Sequence, residues 1–287
     1  MSGIFADVLL PLALGIIMLG LGLSLTTQDF LRVARIPLAV LVGLACQMLL
    51  LPAVCYGVAV LFRLPPELAV GLMLLSASPG GATANLFSHL AKGDVALNIT
   101  LTATNSLLSL FTLPFIVSFS LRAFMASDQQ IPIQPQKVIQ VFAIVLVPVI
   151  IGMVIRRVKE PWALSADKPV RIASAVFLAL IVIASIGKEG AKVGGYIQQI
   201  GLAALVFNLL SLSVGYFVPL AVKLPRKQAV AIGMEIGIHN ATLAIAVANN
   251  VLGNATMAVP PAVYGVLMFG TAAGFSFLMN RRSAAEG

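Results

Sequence analysis

The stretch Ala229-Val-Ala-Ile-Gly-Met-Glu-Ile-Gly-Ile-His-Asn-Ala-Thr-Leu-Ala-Ile-Ala-Val-Ala248 decides how this chain reads. It is apolar enough to lie inside a membrane, yet it carries Glu235 near its middle. A carboxylate at that depth costs about a few kcal/mol or more and usually faces a cavity, a partner or a cation. The cluster Gly237-Ile-His-Asn-Ala-Thr242 follows directly and marks a place where a helix opens and offers its backbone to a ligand. An intramembrane carboxylate beside a helix break points to a transporter with an ion site, not merely an anchor.

The rest of the composition agrees. The chain is 60% hydrophobic and only 10% charged, and its mean hydropathy is +1.03. A soluble domain carries about 25% charged residues. No ionisable side chain occurs between Asp94 and Arg122, and about 20 apolar residues suffice to cross the hydrocarbon. The formal charge of +8 does not indicate nucleic-acid binding, because the basic residues lie in short loops between apolar runs rather than on one exposed basic face. Cys46 and Cys55 fall in one expected helix, about 13 Å apart along its axis. That is too far for a disulfide, and both read as small buried apolar residues. The N-terminus has no basic region ahead of its apolar run, so that run is expected to be a permanent span and not a cleaved signal.

Nine spans are expected within one transmembrane domain covering 1–287, near 7–27, 37–62, 67–91, 94–121, 137–156, 169–187, 198–222, 227–249 and 257–280. The longest connections are expected at 122–136 and 157–168. With the N-terminus outside, the inner loops hold Arg32, Arg35, Lys92, Arg156, Arg157, Lys159, Lys168, Arg171, Lys223, Arg226, Lys227, Arg281 and Arg282. The outer loops then hold only Arg63, Arg122, Lys137, Lys188 and Lys192. Basic residues favour the cytoplasmic side, which places the N-terminus outside and the C-terminus in the cytoplasm. The expected location is the inner (plasma) membrane.

Two spans are expected to be interrupted. The third contains Ser76-Ala-Ser-Pro-Gly-Gly-Ala-Thr-Ala-Asn85, where a proline followed by two glycines breaks the hydrogen-bond ladder. The eighth contains Gly237 to Thr242. In lipid, the freed backbone groups must find partners in protein or a water-filled cavity. The two breaks lie five spans apart and so run in opposite directions, as an inverted repeat requires, and paired broken helices point to a binding site.

The fourth span adds a polar face. Asn98, Thr102 and Asn105 share one side of a helix. Ser109 and Thr112 extend the stripe and read as bridges between helices. Asn85, Asn98, Thr102 and Glu235 supply the oxygen ligands that a hard monovalent cation takes, and no soft-metal set is legible. Gln47, five residues before Pro52, is either a further ligand or an amide bonded to a neighbouring helix. His239 is either a neutral imidazole bonded to a freed carbonyl or a ligand, substrate contact or proton sensor. His89, beside Lys92, reads as an interfacial residue.

On these residues the chain resembles the bile acid:sodium symporter family. The matching motifs are Ser78-Pro-Gly-Gly-Ala-Thr-Ala-Asn85, Gly93-Asp-Val-Ala-Leu-Asn98, Thr102 and Glu235-Ile-Gly-Ile-His-Asn-Ala-Thr-Leu-Ala244, together with Gln47 and Pro52. They cover almost the whole chain in order and spacing. The resemblance implies an all-α membrane transporter with core and panel domains and two discontinuous helices crossing in the core. It resembles a bacterial nine-span member. The resemblance also implies two sodium sites. The first would use Asn85, Asn98, Thr102 and Glu235, and the second Gln47, Glu235, the carbonyls of Ile236 and Ile238, and His239. The family often has a serine where this chain has Ala84 and Asn98, and commonly a glutamine where it has His239. Thr83, Asn105 and Asn240 would lie near the substrate.

The expected function is sodium-coupled import of an organic anion, such as a bile acid or other small monocarboxylate, with sodium as the coupling ion and no further cofactor. Nucleic acid is not an expected partner, and no oligomer is required. A proton-coupled carrier of the same fold and a non-transporting receptor or scaffold are the alternatives. An arsenite-type exporter would want a cysteine in a broken helix, and Cys46 and Cys55 lie elsewhere. No nucleophile–base pair or metal set suggests an enzyme.

Overall fold

A computed structural model describes residues 10–125 and 135–285. The expected start of the first span at 7–9 and the middle of the 122–136 connection lie outside these residues. The described chain is helical almost throughout. The helices are α1 (Leu10–Ser24), α2 (Thr27–Leu31), α3 (Pro37–Ala45), α4 (Leu51–Leu61), α5 (Pro66–Ser76), α6 (Ala82–Leu90), α7 (Val95–Phe124), α8 (Pro135–Val158), α9 (Glu160–Ala221), α10 (Arg226–Gly237), α11 (Ala241–Asn250) and α12 (Val259–Ala285).

Among the described residues, Pro37–Leu61, Gln198–Ala221 and Thr256–Arg281 are each long and apolar enough to cross a membrane unaided. Within the first of these, Cys46–Leu50 forms a π-helical turn between α3 and α4. Pro52 follows it and cannot donate to the carbonyl four residues back, which loosens this part of the ladder. A fourth crossing is bent: Val95–Ser109 and Phe111–Phe124 meet at 59°. The bend falls four residues before Pro114, whose ring clashes with the carbonyl at that distance.

Both expected breaks are present. α5 and α6 flank Ala77 to Gly81, and α10 and α11 flank Ile238 to Asn240. The two broken helices also share their boundary geometry at a constant spacing of 160 residues. Arg63 and Lys223 both take positive φ, at 50° and 62°. The amides of Leu64 and Leu224 reach back to the carbonyls of Ala59 and Pro219, closing the preceding helices in the same way. Pro65 and Pro225 then start α5 and α10 with nearly equal torsions. At the far ends, Asp94 accepts from the Leu97 amide, while Asn254 accepts from the Thr256 and Met257 amides.

The region from 157 to 221 departs from expectation. Spans at 169–187 and 198–222, with loops at 157–168 and 188–197, were expected, but α9 is one helical run broken from α8 only at Lys159. The loop expected at 157–168 is thus reduced to the break at Lys159, and the one expected at 188–197 is helical. Pro161 occupies the first turn, where a missing N–H costs nothing. The charges around Lys188 are compatible with helix, and no proline accompanies them.

Packing divides the molecule around the breaks. α1 lies chiefly along α8; both pack on α9, and α1 also meets α11. α10 packs on α6, α7 and α9, while α12 packs on α5, α9 and α11. Small residues permit the closest approach. A Cβ on Gly215 of α9 would stand 2.7 Å from the Gly233 Cα of α10.

Candidate functional site

The two breaks meet backbone to backbone. Gly80 and His239 form an isolated antiparallel bridge, and the Asn240 amide donates to the Pro79 carbonyl at 2.8 Å. This contact ties together residues from distant parts of the chain and fixes where the half-helices end. It also answers the need to satisfy broken backbone in a membrane.

Glu235 lies on the last turn of α10, fully buried. Three donors hold its carboxylate. Thr102 Oγ1 donates to Oε2 at 2.6 Å, Asn105 Nδ2 donates to Oε1 at 3.1 Å, and the Gly80 backbone adds a hydrogen bond. Thr102 and Asn105 come from α7, one turn apart, so the polar stripe read from sequence faces the carboxylate. Asn85 of α6 stands 3.5 Å from Thr102 Oγ1 through its Oδ1. No lysine or arginine among the described residues forms an ion pair with Glu235. A buried carboxylate with donors but no counter-charge suits a cation.

The other expected ligands divide. Asn98 is buried, but its Nδ2 donates to the Ala231 carbonyl at 2.7 Å and its Oδ1 has no hydrogen-bond partner. Gln47 lies on the π turn and donates Nε2 to the carbonyls of Ser76 and Ser78 at 3.0 and 3.1 Å. His239 Nδ1 lies 2.9 Å from the same Ser78 carbonyl. A carbonyl only accepts, so Nδ1 carries the proton and the neutral ring leaves Nε2 as an acceptor. The imidazole stacks on Phe207, with ring planes 9° apart. It therefore braces the crossing, as one of its two sequence readings allowed. Ile236 and Ile238 are buried on either side of Gly237.

Of the residues expected near substrate, Asn240 caps α11 by accepting from the Leu243 amide. It also lines an apolar cavity of about 110 Å³ with Pro79, Ser106, Met18 and Val149. That cavity lies between the crossing and the α1–α8 pair. Asn105 sits instead on the Glu235 carboxylate, because its position on α7 puts it one turn beyond Thr102. Thr83, in the first turn of α6, is half-buried and is not among the residues that line the cavity.

Two participants escaped the sequence reading. Asn208 Nδ2 and Tyr264 Oη both donate to the Gly237 carbonyl, at 2.8 and 2.9 Å. They satisfy the backbone freed where α10 ends. Asn208 was legible as an amide inside an apolar span, by the rule that singled out Gln47. Among the described residues no group of three or more His, Cys, Asp or Glu assembles a transition-metal site.

Comparison with known proteins places this geometry in a class. Residues 11–195 match the Sodium Bile acid symporter family. The chain is 30% identical over 260 residues to the "Uncharacterized sodium-dependent transporter YocS" of Bacillus subtilis, covering 88% of this chain and 77% of that one. It is 26% identical over 261 residues to the "Probable sodium/metabolite cotransporter BASS2, chloroplastic" of rice, covering 91% of this chain but only 61% of the plant protein. The rabbit "Ileal sodium/bile acid cotransporter" is 24% identical over 242 residues, covering 82% and 67%.

The chain is thus a multi-pass membrane transporter, not an enzyme. The chain belongs to the sodium bile acid symporter family.

Proposed function

We propose that this protein is a sodium-coupled symporter that imports an organic anion by alternating access. The carrying observation is Glu235, fully buried where the two breaks cross and held by Thr102, Asn105 and Gly80 without a counter-cation. The names of the related proteins above, three of which mention sodium, support the choice of ion. Sodium binds first, with Glu235, Thr102, Asn85 and the free oxygen of Asn98 as its nearest candidates, and neutralises the carboxylate.

Substrate then binds in the cavity beside Asn240, between the crossing and the α1–α8 panel. The cavity wall is mostly apolar, and the N-terminus of α11 opens beside it. An amphipathic anion suits both: the helix end attracts the charged group and the wall takes the apolar body. A small monocarboxylate fits that description and the cavity of about 110 Å³, whereas a bile acid needs a site of about 300 Å³ or more and so requires the core to draw away from the panel. The repeated boundary geometry at 160-residue spacing supports an inverted repeat, and movement of the crossing core against the panel would alternate access. We place the N-terminus outside and the C-terminus in the cytoplasm.

The test is uptake into proteoliposomes of a labelled bile acid and a short labelled monocarboxylate, under an inward sodium gradient and under an inward proton gradient. Accumulation driven only by sodium and lost in Glu235→Gln is expected. Accumulation driven by protons alone would replace this reading with a proton-coupled carrier, and binding without accumulation would indicate a receptor.

A further inference from the structure

The end of the core where α10 begins and α12 stops is closed by three hydrogen bonds between elements far apart in sequence. The Asp94 amide donates to the Lys227 carbonyl at 2.9 Å. Arg226 Nη2 donates to the Met279 carbonyl at 3.0 Å, and Asn280 Nδ2 donates to the Leu90 carbonyl at 2.9 Å. These contacts run from the α6–α7 turn to α10, from α10 to α12, and from α12 back to α6, so they form a ring. Lys92, Lys227 and Arg281 each lie on it or within two residues of it, and all three are exposed. Among the described residues none of the three forms an ion pair. The one carboxylate on these turns, Asp94, is spent on the Leu97 amide at 3.0 Å.

Local structure does not account for these charges. Lys92 follows the end of α6 with φ 56°, a position where glycine is the usual residue because a side chain there is strained. Lys227 sits in the first turn of α10, where the helix dipole repels a cation. The Arg281 guanidinium lies over the Phe277 ring, 5.0 Å from its centroid, at the edge of an apolar surface. Leu86 and Leu90 share one face of α6, and Leu278 lies one turn before Arg281 on α12. Their exposures are 52%, 49% and 57%. A topological need for positive loops would be met by basic residues anywhere on these turns. Three cations gathered from separate elements, above a strip of leucine, complement a phosphodiester that carries acyl chains.

We propose that this end of the core binds an anionic phospholipid, its phosphodiester among Lys92, Lys227 and Arg281 and its acyl chains along Leu86, Leu90 and Leu278. A zwitterionic headgroup brings its own cation and a free phosphate brings no chains, so neither matches both halves of the surface. The inference stands independently of the sodium-coupled reading. The ring joins the ends of α6, α7 and α10, the helices that carry Asn85, Thr102 and Glu235. The lipid therefore clamps the helices of the carboxylate cluster at a distance from it.

Native mass spectrometry and thermal unfolding of the purified full chain in neutral detergent test this. The probes are phosphatidylglycerol, phosphatidylcholine with the same acyl chains, and inorganic phosphate. The wild type is expected to retain phosphatidylglycerol and to unfold at a higher temperature with it than with either other probe. Lys92→Gln/Lys227→Gln/Arg281→Gln keeps all three ring bonds, which use backbone, Arg226 and Asn280. At about fivefold per basic residue beside anionic lipid, it should bind phosphatidylglycerol roughly a hundredfold more weakly. Arg35→Gln/Arg157→Gln/Lys159→Gln removes the same charge from other exposed positions and should leave binding unchanged. Equal loss in the two triple variants would overturn the site in favour of a diffuse attraction to basic loops. Equal retention of the two lipids by the wild type would also overturn it, as would a stabilisation that phosphate alone reproduces. The two wild-type comparisons decide the matter even where the first variant does not fold.

Discussion

Gly80 and Glu235 occupy the same place from two directions. A Cβ on Gly80 would stand 2.6 Å from the carboxyl carbon and both carboxylate oxygens of Glu235. The glycine is needed because the carboxylate lies against backbone, whatever torsion that backbone adopts. Gly80→Ala is therefore expected to expel the carboxylate from its seat and abolish sodium-driven uptake. Uptake within twofold of wild type in proteoliposomes would show that the seat yields more readily than its contacts suggest.

The Glu235 carboxylate should also register in stability. A ligand that binds only the folded protein adds RT ln(1 + [L]/Kd), about 2.7 kcal/mol at a hundredfold excess over Kd. Sodium, compared with potassium and choline at equal ionic strength, is expected to raise the unfolding temperature in detergent. Glu235→Gln should erase the difference while inserting normally, and Thr102→Val should reduce it by removing the 2.6 Å donor. A sodium shift that persists in Glu235→Gln would move the principal ion site elsewhere.

The Gly237 carbonyl has two donors, Asn208 and Tyr264. Removing one leaves the other, so Tyr264→Phe should cost only about 0.5–1.5 kcal/mol. Combining it with Asn208→Leu strands the carbonyl in an apolar interior, and the pair should cost more than the sum of the singles. Thermal unfolding of the three variants measures the coupling, and simple additivity would show that the donors act independently.

Gly215 permits the backbone contact between α9 and α10. Gly215→Ala pushes a methyl to within 2.7 Å of Gly233 Cα and 2.6 Å of Ile236. Overpacking of this kind costs about 1–3 kcal/mol, and the displaced helix is the one that carries Glu235. A lower unfolding temperature together with weaker sodium dependence is expected. A change in stability alone would show that α10 shifts without disturbing its carboxylate.

His239→Gln keeps a donor for Ser78 through its amide and gains an oxygen. Sodium-driven uptake is expected to persist with equal or higher apparent sodium affinity. His239→Leu removes the bond to Ser78 and should weaken uptake. Equal loss in both variants would assign the imidazole a role that the amide cannot copy.

The features most legible in the sequence were those that violate membrane solvation. Glu235, Pro79-Gly80-Gly81 and Gln47 are each costly in an apolar span, and each lies at or beside the crossing. Periodicity also placed Thr102 and Asn105 on one face of α7. What periodicity could not supply was depth. It could not show that Asn105 reaches the carboxylate while Asn98 turns to the Ala231 carbonyl. The continuity of α9 was missed because charge was read as an end to helix, although nothing chemical ends it. The 160-residue correspondence, by contrast, was legible in side chains that were not read together, Arg63-Leu-Pro65 with Ala69-Val70 against Lys223-Leu-Pro225 with Ala229-Val230, and the positive φ of Arg63 and Lys223 brings it out.

The hydrogen bond between Asn105 and Glu235 spans 130 residues of sequence, which orders events at the ribosome. At synthesis rates of about 5–20 residues per second, Asn105 is made roughly 7–26 s before the carboxylate. Glu235 consequently enters a bilayer in which Gly80, Thr102 and Asn105 have already been delivered, and its donors can receive it as it arrives. The nascent chain spares its most expensive side chain a wait in lipid by making the partners first.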